Sequence, residues 1–311
     1  MPSSYYMPME VFNGIILALF AIIPVTFLVI TRRADWGQSR LYPASVRARM
    51  PIGSERMAQS IAARTRTVVR ANMWGVMSAI VIVASMFALT PLGASPNFLW
   101  FLSAAILLGV IAISQVVVTV RERLFTPAPS APRMARATAL RVGDYLRPAE
   151  RFAPWALSAI LTLLWAIIAL LWGTGRVEGG ALGWLIAGTI FALVGGAAGM
   201  WAERRILVQP QPASTTLELA WDDLFRADAL RTLRMAETML VWIPLGIGGS
   251  LLLHMILSNP SPEAGSIMQL FPWWGIPFIQ VLYTWGAGRL PAALRPDVAM
   301  YSSTIGEERT A

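Results

Sequence analysis

Seven long apolar runs, separated by polar or proline-marked segments, divide this chain. They cover Val11–Thr31, Met73–Leu92, Phe98–Val120, Phe152–Trp172, Leu182–Ala202, Met239–Leu257 and Ile267–Ala287. Roughly 20 residues of helix cross a hydrocarbon core of about 30 Å, so each run predicts a transmembrane helix. The alternating ten-residue pattern of a membrane barrel is missing from the sequence, which leaves helices as the spanning structure that satisfies its own backbone. The predicted fold class is an all-α membrane protein of seven transmembrane helices.

The runs are punctuated at regular intervals. Arg40-Leu41, Arg123-Leu124, Arg205-Ile206 and Arg289-Leu290 recur 83, 82 and 84 residues apart, each after an apolar run and before a proline. Alignment on these marks brings Trp74, Trp155 and Trp242 to the start of the second, fourth and sixth spans. Trp100, Trp184 and Trp273 fall near the start of the third, fifth and seventh. Tryptophan favours both membrane interfaces, but the shared spacing points to duplication. A unit of two spans preserves orientation, so the units predict three parallel two-helix hairpins after a single N-terminal helix. The expected organisation is one polytopic domain, 1–311. It divides into an N-terminal helix at 1–45, hairpins at 54–127, 133–210 and 215–291, and a tail at 292–311. Mitochondrial carriers also repeat a two-helix unit three times, but their Pro-x-[Asp/Glu]-x-x-[Lys/Arg] signature is missing at the corresponding positions.

Composition agrees with the pattern. The chain is 56% hydrophobic and 14% charged, with a mean hydropathy of +0.58, whereas a soluble domain carries about 25% charged residues. All 25 basic residues are Arg, which hints at a GC-rich bacterial genome. Segments 32–72, 121–151, 203–237 and 289–311 hold 9, 7, 5 and 3 of them, and Arg176 alone lies elsewhere. Basic residues in short loops stay cytoplasmic, so the expected topology is N-out and C-in, in a bacterial cytoplasmic (inner) membrane. Glu10 and no basic residue precede the first span, unlike the positive start of a secretory signal, so that helix reads as a retained anchor. The net charge of +8 is explained by these loops and points to anionic lipid headgroups as partners. No nucleic-acid-binding module accompanies it.

The arginine-rich segments carry their own pattern. Between Ser54 and Asn72, Met57, Ile61, Val68 and Val69 fall near one helical face, and Arg56, Arg64, Arg66 and Arg70 occupy others. That is the pattern of a basic helix lying on headgroups. In the third segment Thr215 and Glu218 form a possible capping box. Leu217, Trp221, Leu224 and Phe225 form an apolar stripe there, beside an acidic face of Asp222, Asp223 and Asp228. Interfacial anchoring is one reading of this helix; the other is a docking surface for a protein partner, made by Trp221, Asp222, Asp223 and Asp228.

Candidate chemistry is sparse. Ionisable groups inside a bilayer are functional candidates by default, and the first five spans offer none within their cores; Glu203 and Glu237 are expected at helix ends, open to water. The last hairpin is the exception. Its sixth span holds Pro244, Gly246, Gly248, Gly249, Ser250 and the single histidine, His254. Its seventh holds Trp273, Trp274, Pro277, Gln280 and Tyr283. Proline and glycine can interrupt a helix and expose carbonyls to a ligand. The expected ligand- or partner-binding set is therefore Ser250, His254, Trp273, Trp274, Gln280 and Tyr283. A Ser250–His254 dyad on one helical face lacks any motif for an oxyanion hole. One imidazole without Cys is too few ligands for a metal or for bis-histidine haem, and the lack of Lys excludes a retinal Schiff base. The reading is non-enzymatic, with no cofactor and no metal: an accessory, scaffolding or regulatory subunit of a membrane complex. The alternative is a permease or small-solute transport component using the last hairpin. The fifth span carries two small-residue rows, Gly188-Ala192-Gly196 and Gly195-Gly199, which allow close helix approach.

Overall fold

The computed structural model describes residues 9–33, 35–89, 96–122, 124–125, 140–173, 179–256, 275–285, 287–289, 291 and 294. The described residues are mostly helical, with no strand among them. In order the helices are α1 (Met9–Ile30), α2 (Trp36–Ser39), α3 (Leu41–Ala48), α4 (Glu55–Leu89), α5 (Pro96–Arg121), α6 (Val142–Tyr145), α7 (Pro148–Gly173), α8 (Gly179–Val208) and α9 (Thr216–Ile256). A further helix, α10 (Gly275–Thr284), follows. Among the described residues four helices are long and apolar enough to cross a membrane: Glu55–Leu89, Pro148–Gly173, Leu182–Val208 and Thr216–Leu253. Gly14–Ile30, Ile106–Arg121 and Gly275–Thr284 are shorter apolar helices, and much of the expected seventh span lies outside the described residues.

α9 is the axis of the fold. It packs against α5, α7 and α8, and 56% of its apolar window is buried against 17–22% in the other three long helices. The 35 residues of α4 and 41 of α9 make rods about 50 and 60 Å long. Each is far longer than a hydrocarbon core of about 30 Å. The segments expected as separate interfacial helices are instead the first halves of these rods. Ser54 Oγ accepts the Met57 N–H at 3.3 Å to start α4. Thr215 Oγ1 accepts the Glu218 N–H at 3.1 Å to start α9, while Glu218 reaches back to the Ser214 N–H at 2.7 Å. No proline or glycine falls between these caps and the apolar halves, over residues 55–72 and 216–238, so the helix continues into them.

The main core lies at this arginine-rich end. Met50, Met57, Ile61, Tyr145, Ile206, Trp221, Leu230 and Met239 belong to one buried cluster that joins α4, α6, α8 and α9. The Arg-Leu marks feed it: Leu41, Leu124 and Ile206 are all buried in this cluster, whereas Arg40 and Arg205 are exposed. A second, smaller cluster, including Leu161, Leu164, Leu185, Val241 and Leu245, joins α7, α8 and α9 in the apolar half.

Two expectations about the hairpins change. α4 and α5 pack directly on each other, but α7 and α8 each lean chiefly on α9, so the first two hairpins are built differently. The sixth span is not interrupted: α9 continues through Pro244, Gly246, Gly248 and Gly249. Close packing explains at least one of these residues. A Cβ on Gly248 would collide with Leu164 of α7 and Leu185 of α8.

Candidate functional site

The distinctive chemistry is a row of buried charges along α9. Asp223, Arg226, Arg231, Arg234, Glu237 and Thr238 are all buried. At 3.6 residues per turn they fall within roughly 140° of one side of the helix, and all but Glu237, which pairs with Arg234 of α9 itself, meet a partner on a neighbouring element.

Arg226 donates from Nε to Asp222 at 2.9 Å, from Nη1 to the Ile206 carbonyl at 2.9 Å and from Nη2 to the Pro210 carbonyl at 3.2 Å. It thereby caps the C-terminus of α8, where the last carbonyls lack intrahelical donors and the helix dipole is negative. The same device recurs. Arg64 of α4 donates to the Val118 carbonyl at 2.7 Å and pairs with Glu122 at 3.3 Å at the end of α5. Arg70 donates to the Thr31 carbonyl at 2.9 Å just after α1, and Arg231 to the Arg289 carbonyl at 3.2 Å after α10. Four helices that run toward the arginine-rich end are thus tied down there by an arginine from α4 or α9.

Arg231 also joins α7 to α9. It pairs with Glu150 at 3.4 Å and with Asp228 at 2.7 Å. Asp228 accepts the Gly288 N–H at 2.9 Å. Gly288 has φ +71, and the Arg47 side chain packs where a Cβ would sit, so glycine is required there. Tyr283 of α10 completes the join, donating to the Glu150 carbonyl at 3.0 Å and sharing a 2.6 Å hydrogen bond with Thr238.

One turn further along α9, Arg234 sits between two carboxylates. Its Nε meets Glu203 of α8 at 2.5 Å and its Nη1 meets Glu237 at 2.8 Å. Glu203 and Glu237, expected at water-accessible helix ends, are only 7% and 5% exposed. The guanidinium between them is what makes that burial tolerable.

The expected site residues are scattered. Trp221 is buried with Nε1 donating to the Pro51 carbonyl at 3.0 Å. Asp223 is buried, accepting from Tyr145 Oη at 2.8 Å and Gln211 at 2.7 Å. Asp222 is held by Arg226 and by Gln211 at 3.0 Å, and Asp228 by Arg231. Asp223 therefore faces inward, whereas Asp222 and Asp228 are half-buried and held in ion pairs. Tyr283 is buried, Gln280 is exposed, and Ser250 bonds the Gly246 carbonyl at 2.8 Å. Ser250 stands twelve residues beyond Thr238, the Tyr283 partner, which is about 18 Å along the helix. Trp273, Trp274 and the His254 side chain lie outside the described residues. Sequence reasoning missed the roles of Glu150, Glu203, Arg226, Arg231, Arg234 and Glu237. The spacing of Arg226, Arg231, Arg234 and Glu237 on α9 was the available signal, but the groups that Arg226, Arg231 and Arg234 meet on α8 and α7 are distant in the chain.

Two neighbouring spaces open beside this network. Between α7, α8 and α9 lies a cleft of about 370 Å³, lined by Trp155, Leu161, Trp165, Leu193, Gly196 and Val241 among others. A second space of about 560 Å³ includes Arg141, Gly143, Asp144 and Arg151 in its wall, and both include Trp155 and Arg234.

No known protein family, curated protein or solved structure matches the chain.

Proposed function

We propose that this chain is a non-catalytic multi-pass protein of the bacterial cytoplasmic membrane, oriented N-out and C-in, that serves as an accessory, scaffolding or regulatory subunit. One observation carries this reading: α4 and α9 run unbroken from an apolar half into a core where Arg64, Arg226, Arg231 and Arg234 are committed to neighbouring helices. Such a bundle is a rigid platform. Its buried ionic groups are matched to one another, leaving paired charges where an enzyme would need a nucleophile and base held toward an open site.

The exposed arginines, among them Arg32, Arg33, Arg40, Arg47 and Arg49, fit contact with anionic headgroups and with a partner at the same face. The transport reading draws no support from the last hairpin, where Gln280 is exposed, Tyr283 is closed in and Ser250 lies far along α9.

The test is a knockout with complementation. Deletion should lower the membrane level of a protein that cross-links stoichiometrically to the arginine-rich face, and the wild-type chain should restore it. Purified protein that carries a solute across proteoliposomes, with no partner dependent on it in cells, would overturn the reading.

A further inference from the structure

We propose that the cleft between α7 and α8 is a discrete phospholipid site, with one acyl chain in the apolar slot and the phosphate on Arg141 and Arg151.

The shape of the slot follows from how the helices are held. Gly195 and Gly199 set α8 close against α9, where Cβ atoms would run into Leu240 and Glu237. α7 also leans on α9, and it touches α8 where Trp165 Nε1 donates to Thr189 Oγ1 at 3.0 Å. That bond closes one end of the slot. From there to Trp155, ten residues back along α7, the slot runs about 15 Å. This equals one leaflet of a hydrocarbon core about 30 Å thick.

The walls suit hydrocarbon. Ser158 donates to the Pro154 carbonyl at 2.8 Å, Thr162 to the Ser158 carbonyl at 2.9 Å and Thr189 to the Leu185 carbonyl at 2.8 Å. Arg234 is engaged by Glu203 and Glu237. The second Glu237 oxygen is buried beside Gly199 with no hydrogen-bond partner. The three hydroxyls of the lining are thus spent on backbone carbonyls, while Gly196 leaves open space where a side chain would project. A volume of about 370 Å³ falls within the range of small-ligand sites, roughly 300–1,000 Å³.

At the open end the chemistry changes sign. Arg141 and Arg151 are exposed in the adjoining space. Arg151 lies over the Phe152 ring at 5.0 Å, and a Cβ on Gly143 would meet its Nη1 at 2.7 Å, so Gly143 makes room for the guanidinium. Asp144, the acid in this wall, accepts the Arg141 N–H at 2.6 Å and is committed to the start of α6. Two guanidinium groups beside a slot one leaflet deep present forked donors to a phosphate. Ordinary bulk lipid needs no such arrangement.

The experiment uses the full chain in a non-ionic detergent, with native mass spectrometry and two probes of identical acyl chains, phosphatidylglycerol and diacylglycerol. Wild type should retain one phosphatidylglycerol and no diacylglycerol. Gly196→Leu fills the slot from a position with free space, and Arg141→Gln with Arg151→Gln removes the phosphate donors from the surface. Each should lower phosphatidylglycerol occupancy roughly tenfold or more, with an unchanged elution profile. Equal retention of diacylglycerol by wild type, or wild-type retention of phosphatidylglycerol by either variant, would overturn the proposal. The surface double variant keeps the test valid even if Gly196→Leu fails to fold.

Discussion

Arg234 of α9 reaches across to Glu203 of α8 with Nε 2.5 Å from the carboxylate, at the level where the charged half of α9 gives way to its apolar half. This contact fixes the two helices at one depth. Arg234 also holds Glu237, so two carboxylates share one guanidinium.

Removing that guanidinium is expected to be costly. Arg234→Ala leaves two buried carboxylates without their cation, and breaking a buried pair typically costs about 3–5 kcal/mol. Thermal unfolding in detergent should show a large fall in midpoint. Replacing all three residues by Met or Leu should recover most of it, because the desolvation penalty disappears with the charges. A triple variant no more stable than Arg234→Ala would show that the ion pairs themselves hold α8 to α9.

Neighbouring glycines of α8 should behave oppositely. A Cβ on Gly199 would run into the Glu237 carboxylate, and one on Gly195 into Leu240, whereas one on Gly196 meets nothing within 4 Å. Gly199→Ala should therefore lower stability by about 1–3 kcal/mol, as overpacking does. Gly196→Ala should be neutral, or raise stability slightly through its better helix propensity. Equal effects at the two positions, read by thermal unfolding, would contradict this packing of α8 on α9.

The hydroxyl of Tyr283 ties α10 to α7 and α9. Tyr283→Phe keeps the buried ring and loses the bonds to Thr238 and to the Glu150 carbonyl. Each such bond contributes about 1 kcal/mol net, so a loss of about 1–2 kcal/mol is expected. Limited proteolysis should then cut more readily between α9 and the C-terminus, and an unchanged cleavage rate would show that other contacts hold α10.

The arginine asymmetry predicts sidedness. A reporter active only outside the cytoplasm should work when fused near Ser95, Gly179 or Pro262, and fail at Pro129, Ala213 or the C-terminus. Activity at Ala213 would place the start of α9 outside and invert the proposed topology.

The sequence alone determined what is local. Apolar runs predicted helices because a helix satisfies its own backbone wherever it lies, and α4, α7, α8 and α9 are helices of membrane-crossing length. Thr215 announced the start of α9, since a cap acts within one turn. The Arg-Leu marks proved structural where the structure describes them, with Leu41, Leu124 and Ile206 entering one core. Tertiary structure decided what depends on residues far apart. Asp223 looked like a surface acid until Tyr145, 78 residues away, approached its oxygen. Glu203 and Glu237 became buried because Arg234 lies between them. Of the two glycine rows in α8, the approach of α9 closed over Gly195 and Gly199 and left Gly196 open. The periodicity of a helix states which residues share a side, whereas the identity of the opposing helix depends on long-range packing of the whole bundle.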